Sequence, residues 1–149
     1  MHPFDIRDAL LAKHAQHVVL VHFPIAAFIV GVAFDFITLW TKRRTFAVAA
    51  YYNMVVAVLS TFPVVATGLL AWHFQLEGQK LKGILLEHLL FGVASSTLIC
   101  LVWYIHFRSR RLPEPILPSY RLPIEFLAVA VVAITGHLGG FLSGVNIPS

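Results

Sequence analysis

Cysteine occurs once in the 149 residues, as Cys100. That excludes an intrachain disulfide and any cysteine-held iron–sulfur cluster, and without a Cys-x-x-Cys-His run there is no attachment site for c-type haem. Charge is nearly as scarce, at 12% of residues against 58% hydrophobic, with a mean hydropathy of +0.80. A soluble domain carries about a quarter charged residues to cover its surface, so that class is excluded. The formal net charge of +4 does not point to nucleic acid. Seven of the eleven Lys and Arg residues are Lys42, Arg43, Arg44, Arg108, Arg110, Arg111 and Arg121, in two short stretches between apolar runs. Such clustering is a topology signal rather than a nucleic-acid face.

Long hydrophobic runs are abundant. Crossing a bilayer takes about 20 mostly apolar residues, and four runs qualify: 17–40, 46–74, 84–107 and 122–142. Only helices satisfy their backbone amides in lipid in so short a chain. Short connections between the runs predict an antiparallel bundle of four transmembrane helices, an all-α membrane protein forming a single domain over residues 1–149. Residues 1–16 carry Asp5, Arg7, Asp8 and Lys13 and lack the continuous apolar core of a cleavable signal peptide. Phe4, Ile6, Leu10 and Leu11 among them suit a short interfacial segment.

The basic residues set the expected orientation. Seven of them flank the inner connections, against Arg7, Lys13, Lys80 and Lys82 on the other side. The positive-inside bias then places both termini in the periplasm of a bacterial inner membrane, with the chain crossing it four times.

With that topology the histidines fall into a tier. His17 and His22 open the first helix, His73 ends the second, His88 lies a turn inside the third, and His137 lies just over a turn before the end of the fourth. At 1.5 Å rise per residue, all five lie within roughly 10 Å of one membrane face. Ionisable groups at membrane depth are functional-site candidates by default, and neutral imidazole is an axial ligand for haem iron and a common metal ligand. Small residues accompany the tier. Gly92 follows His88 by four residues, and Gly136, Gly140 and Gly144 form a small-residue row beside His137. Such rows serve either close helix packing or close approach of a cofactor. A histidine at a helix end also serves as an interfacial residue, a reading that weighs most for His17 and His73.

Other marked residues read as structural. Asp35 follows His17 by eighteen residues, five full turns, and is read mainly as a hydrogen-bonding partner of a neighbouring helix or an inner basic residue. Pro24 is expected to kink the first helix, and Pro63 to free the Leu59 carbonyl in the second. His106 is read as a snorkelling terminal residue. Trp40, Trp72, Trp103 and Tyr104 are read as interfacial belts.

His17, His22, Phe23, Pro24, Ile25 and Ala26 in the first helix, a histidine opening the third, and His137, Gly139, Gly140, Leu142 and Gly144 in the fourth resemble the domain-of-unknown-function 2231 family. The resemblance covers most of the chain. It departs at Val18, where that family usually has proline, and around His73, where an acidic residue is common. It implies a small bacterial four-helix membrane protein and, through members associated with c-type cytochrome modules, redox work.

The resulting expectation is a membrane-bound b-type cytochrome, an electron-transfer subunit rather than a stand-alone enzyme. One or two haems b would be held by His22, His88 and His137, with His17 and His73 as second choices and Gly92 and Gly140 beside the cofactor. Electrons would pass between quinol or a partner complex and a periplasmic cytochrome c. No haem chain crossing the membrane is expected, because the inner side shows no matching tier. The competing readings are a cofactor-free structural or assembly subunit and a non-haem metal protein.

Overall fold

The computed structural model describes residues 13–74, 76–112 and 117–144. Among them there is no strand, and five helices build four spans. Helix α1 covers Lys13–Leu20 and α2 covers His22–Thr41. Helix α3 is Arg44–Phe74, α4 is Ile84–Arg110 and α5 is Arg121–Leu142. The interfacial segment expected over residues 1–16 lies outside the described residues as far as residue 12, and the rest of it opens α1.

Helices α1 and α2 together make the first span, Gln16–Thr41. They are separated at Val21, three residues before Pro24. Proline has no amide hydrogen, so Leu20 loses the donor that a continuous helix would aim at its carbonyl. The flanking bonds survive: Val21 N–H donates to His17 O at 3.0 Å and Ile25 N–H to Val21 O at 3.4 Å. The break therefore turns the chain without ending the span. Pro63, by contrast, lies inside an unbroken α3.

Two residues, Lys42 and Arg43, join α2 to α3. Lys42 caps α2 in the left-handed conformation (φ 56°) and returns its N–H to Thr38 O at 2.8 Å. So tight a connection forces the two helices antiparallel and side by side. They approach closely at Gly31, where a Cβ would lie 3.2 Å from Met54 Cγ and 3.3 Å from Ala50 O. Packing continues round the bundle in chain order, α2 on α3, α3 on α4, α4 on α5, and α5 back on α2.

The interior at mid-depth is apolar, with Phe28 and Val32 from α2, Met54, Ala57 and Val58 from α3, Ile99 and Val102 from α4, and Ala128 and Val132 from α5. Large apolar side chains also cover the outside, including Phe62, Leu59, Phe126 and Leu127. Helices that are apolar all round suit lipid on one side and protein on the other. Trp40 and Tyr104 are exposed near helix ends as a belt requires, but Trp103 is turned inward. It packs against the core and stacks on Phe107, with ring centroids 5.2 Å apart, so it leaves the expected belt.

Candidate functional site

Polar side chains enter the bundle at its two ends, on either side of the apolar core. At one end the break before α2 and the start of α4 bring His17 and His88 together, with ring centroids 6.4 Å apart and ring planes at 86°. His17 is fixed by α3. Its Nδ1 lies 3.1 Å from Val64 O and 3.3 Å from Thr67 Oγ1. A carbonyl can only accept, so Nδ1 carries the hydrogen and the ring lone pair resides on Nε2. Thr67 Oγ1 donates back to Pro63 O at 2.8 Å.

Glycine makes room for both rings. A Cβ at Gly68 would lie 2.9 Å from His17 Cε1, and one at Gly139 would lie 3.2 Å from His88 Cε1. His88 Nδ1 is buried with no hydrogen-bond partner among the described residues. One turn along α4, a Cβ at Gly92 would meet nothing within 4 Å, so the helix is notched there. Farther in, Ser95 Oγ and Thr135 Oγ1 join α4 to α5 at 2.7 Å.

The other three histidines of the tier do not join this pair. His22, His73 and His137 are exposed on outer faces of the bundle. His22 Nδ1 lies 3.3 Å from Val19 O, His73 packs edge-on against Phe74 and His137 against Phe141. Of the expected ligands, then, His17 and His88 meet, both half-buried. Gly140 lies next to Gly139 on α5, and its carbonyl accepts from Ser143 Oγ at 3.1 Å.

The opposite end holds a second constellation. Asp35 (α2), His106 (α4), and Arg121 and Glu125 (α5) are all buried, the two carboxylates completely. Arg121 Nε donates to Asp35 Oδ2 at 2.8 Å and lies 3.9 Å from Glu125 Oε1, and Glu125 Oε1 is 2.8 Å from His106 Nε2. Asp35 Oδ1 and Glu125 Oε2 are buried without partners in the described residues. The structural reading of Asp35 therefore has a named partner, Arg121. The reading of His106 as a snorkelling residue is corrected: it is 3% exposed because Glu125 draws it inward. Arg121 likewise belongs to the interior rather than to the loop charge.

Glu125 is the residue that sequence reasoning missed. Its signal was available, since a carboxylate inside the apolar run 122–142 meets the same criterion that marked Asp35. The spacing of Arg121 and Glu125, four residues apart on one helix face, offered a second signal. Gly68 was legible only as one glycine inside an apolar helix, because its role depends on a histidine 51 positions away that α1 delivers.

An all-helical bundle of four spans, with apolar side chains facing outward, a histidine pair at one end and an ion-pair cluster at the other, defines a multi-pass membrane protein in contact with the lipid bilayer. The chain belongs to the DUF2231 family of predicted membrane proteins, which it matches over residues 13–145. No curated protein and no solved structure matches it.

Proposed function

We propose that this protein is a membrane-bound b-type cytochrome in which His17 and His88 hold one haem b near the periplasmic face of a bacterial inner membrane. The observation that carries the reading is the spacing of the two imidazoles. The two imidazoles come from different helices and approach to 6.4 Å between ring centroids, so they would be the residues to hold a haem iron. The supporting features are local. His17 has its Nδ1–H directed at a backbone carbonyl, the outer-shell contact that fixes tautomer and ring orientation in metal-ligating histidines. The His88 ring lies against Gly139, and the notch at Gly92 leaves space on the same helix. Haem would supply one-electron chemistry, and this chain would supply ligation, orientation and burial.

His22, His73 and His137, on outer faces, are then contact residues toward a partner subunit or a periplasmic cytochrome c rather than ligands to this haem. Both termini lie on the periplasmic side in this reading, and electrons pass between quinol or a partner complex and a periplasmic carrier. The second reading is a cofactor-free structural subunit. The edge-on approach of His17 and His88 favours it, because two imidazoles in that arrangement also pack as aromatic neighbours.

A reduced-minus-oxidised spectrum of protein purified from its native membrane, with pyridine haemochrome analysis, separates the two. One haem b per chain is expected, lost in His17→Ala and His88→Ala and kept in His22→Ala, His73→Ala and His137→Ala. Fully folded native protein without a b-type band overturns the proposal.

A further inference from the structure

The four-residue cluster at the basic end carries a formal charge that does not close. Asp35 and Arg121 form a neutral pair across the 2.8 Å contact. With His106 counted as uncharged, the completely buried Glu125 at 2.8 Å from it leaves the cluster at a formal −1. An uncompensated charge in the bundle interior is costly, and such groups are paired or neutralised instead. The cluster is also short of donors, since Asp35 Oδ1 and Glu125 Oε2 have none among the described residues.

We propose that Glu125 and His106 bind one exchangeable proton between them, taken from water at the basic end of the bundle. A single proton brings the four side chains to zero. It resides on the 2.8 Å contact between Glu125 Oε1 and His106 Nε2, as a carboxylic acid beside imidazole or as imidazolium beside carboxylate. The pair lies nearer the basic end of the bundle than the histidine end. Asp35 is six residues from the end of α2, His106 four from the end of α4 and Glu125 four from the start of α5, all within about 10 Å of that end. Toward the histidine end the way is closed by Phe28, Val32, Met54, Val102, Ala128 and Val132.

The charged groups around the pair are few. Helix α2 presents Asp35 and α5 presents Arg121. Helix α4 adds buried Ser109, while its Arg110 is directed over Tyr51 of α3, 4.2 Å from the ring centroid. The buried residues of α3 at this level are Ala50 and Met54.

A divalent metal ion is the other occupant to weigh. One ligand atom each from Asp35, His106 and Glu125 lies within 4.8 Å of the others, and an imidazole with two carboxylates is a usable donor set. Yet Arg121 already holds Asp35, and a doubly charged ion would leave the interior at +1 beside the concentrated Lys and Arg of this end. The proton closes the charge and the metal does not.

Charge counting makes the test specific. Protein in lipid nanodiscs would be titrated by infrared difference spectroscopy, following protonated-carboxyl and imidazolium absorption, with folding checked by thermal unfolding. Wild type should show one titrating proton assigned to the Glu125–His106 pair. Asp35→Asn and Glu125→Gln each make the cluster neutral without that proton, so the step should disappear or move to at least tenfold weaker proton affinity. Arg121→Gln should add a second proton. If Arg121→Gln fails to fold, the isosteric Glu125→Gln carries the test alone. An unchanged proton count in folded Asp35→Asn or Glu125→Gln overturns the proposal. Stoichiometric divalent metal in the purified protein, released by Glu125→Gln, overturns it in favour of a metal site.

Discussion

Asp35 and Arg121 lie 86 residues apart and meet through one 2.8 Å hydrogen bond in the closed interior of the bundle. The contact ties the first span to the last, the weakest of the neighbouring helix contacts round the ring. Its contribution depends on what replaces it. Breaking a buried pair strands a charge and costs about 3–5 kcal/mol, whereas replacing both partners with apolar residues is often neutral or stabilising. Arg121→Leu alone should therefore destabilise the protein severely, because it leaves the buried Asp35 and Glu125 without a cation, and adding Asp35→Leu should recover most of the loss. Unfolding in mixed micelles, arranged as a double-mutant cycle, measures this. A loss in the double variant equal to the sum of the two single losses would show that the pair contributes no coupling.

The cradle of His17 provides a second prediction. A methyl group at Gly68 would lie 2.9 Å from His17 Cε1, closer than packed atoms tolerate, so the imidazole has to move. Overpacking of this kind costs about 1–3 kcal/mol. Gly68→Ala should lower thermal stability and, if the haem reading holds, reduce haem retained through purification. Gly92→Ala is the control for stability, because its Cβ would meet nothing within 4 Å. Alanine is the better helix former by about 0.8–1 kcal/mol, so no loss of stability is expected there. A larger loss at Gly92 than at Gly68 would contradict the geometry.

What was legible in the sequence follows from what a bilayer imposes. The four spans could be read from run length alone, because lipid leaves the backbone no alternative to helices. Their ends differ from the expected ones by a few residues, as with α4 running to Arg110 rather than 107. The places of the histidines along their helices were legible too, since they follow from the limits of the apolar runs. Which histidines meet was not, because that depends on helix rotation. Helices with little segregation of apolar residues carry no reliable sign of their inward face. His22 and His137 thus rotate outward at the depth where His17 and His88 turn in. The same limit hid the inner cluster, where His106, Arg121 and Glu125 each resemble an end-of-helix charge until α5 brings them together.

A third prediction concerns the hydroxyl pair that joins α4 to α5. Ser95 Oγ and Thr135 Oγ1 are 2.7 Å apart with Ser95 buried, and Thr135 also donates to Val131 O at 2.8 Å. Thr135 therefore keeps a partner when Ser95 is removed. Interhelical hydrogen bonds in membranes contribute about 0.6 kcal/mol on average, so Ser95→Ala should cost about that much by equilibrium unfolding. A loss several times larger would indicate that Ser95 does more than join two helices.

The last prediction tests orientation. Burial of Arg121 against Asp35 removes it from the loop charge, which leaves exposed Lys42, Arg43, Arg44, Arg108, Arg110 and Arg111 at one end. Among the described residues, Lys13, Lys80 and Lys82 remain for the other. The first group is one smaller than the raw count, but all six residues lie within a few positions of helix ends, where the positive-inside bias acts most strongly. The Lys42–Arg43 turn should therefore face the cytoplasm and the loop carrying Gln79 the periplasm. The native thiol, Cys100, is half-buried and can be replaced with alanine to give a cysteine-free background. In intact cells a membrane-impermeant thiol reagent should then label Gln79→Cys and spare Arg43→Cys until the membrane is opened. The reverse pattern would put the histidine pair at the cytoplasmic face. Any electron carrier that meets His17 and His88 would then have to be a cytoplasmic one.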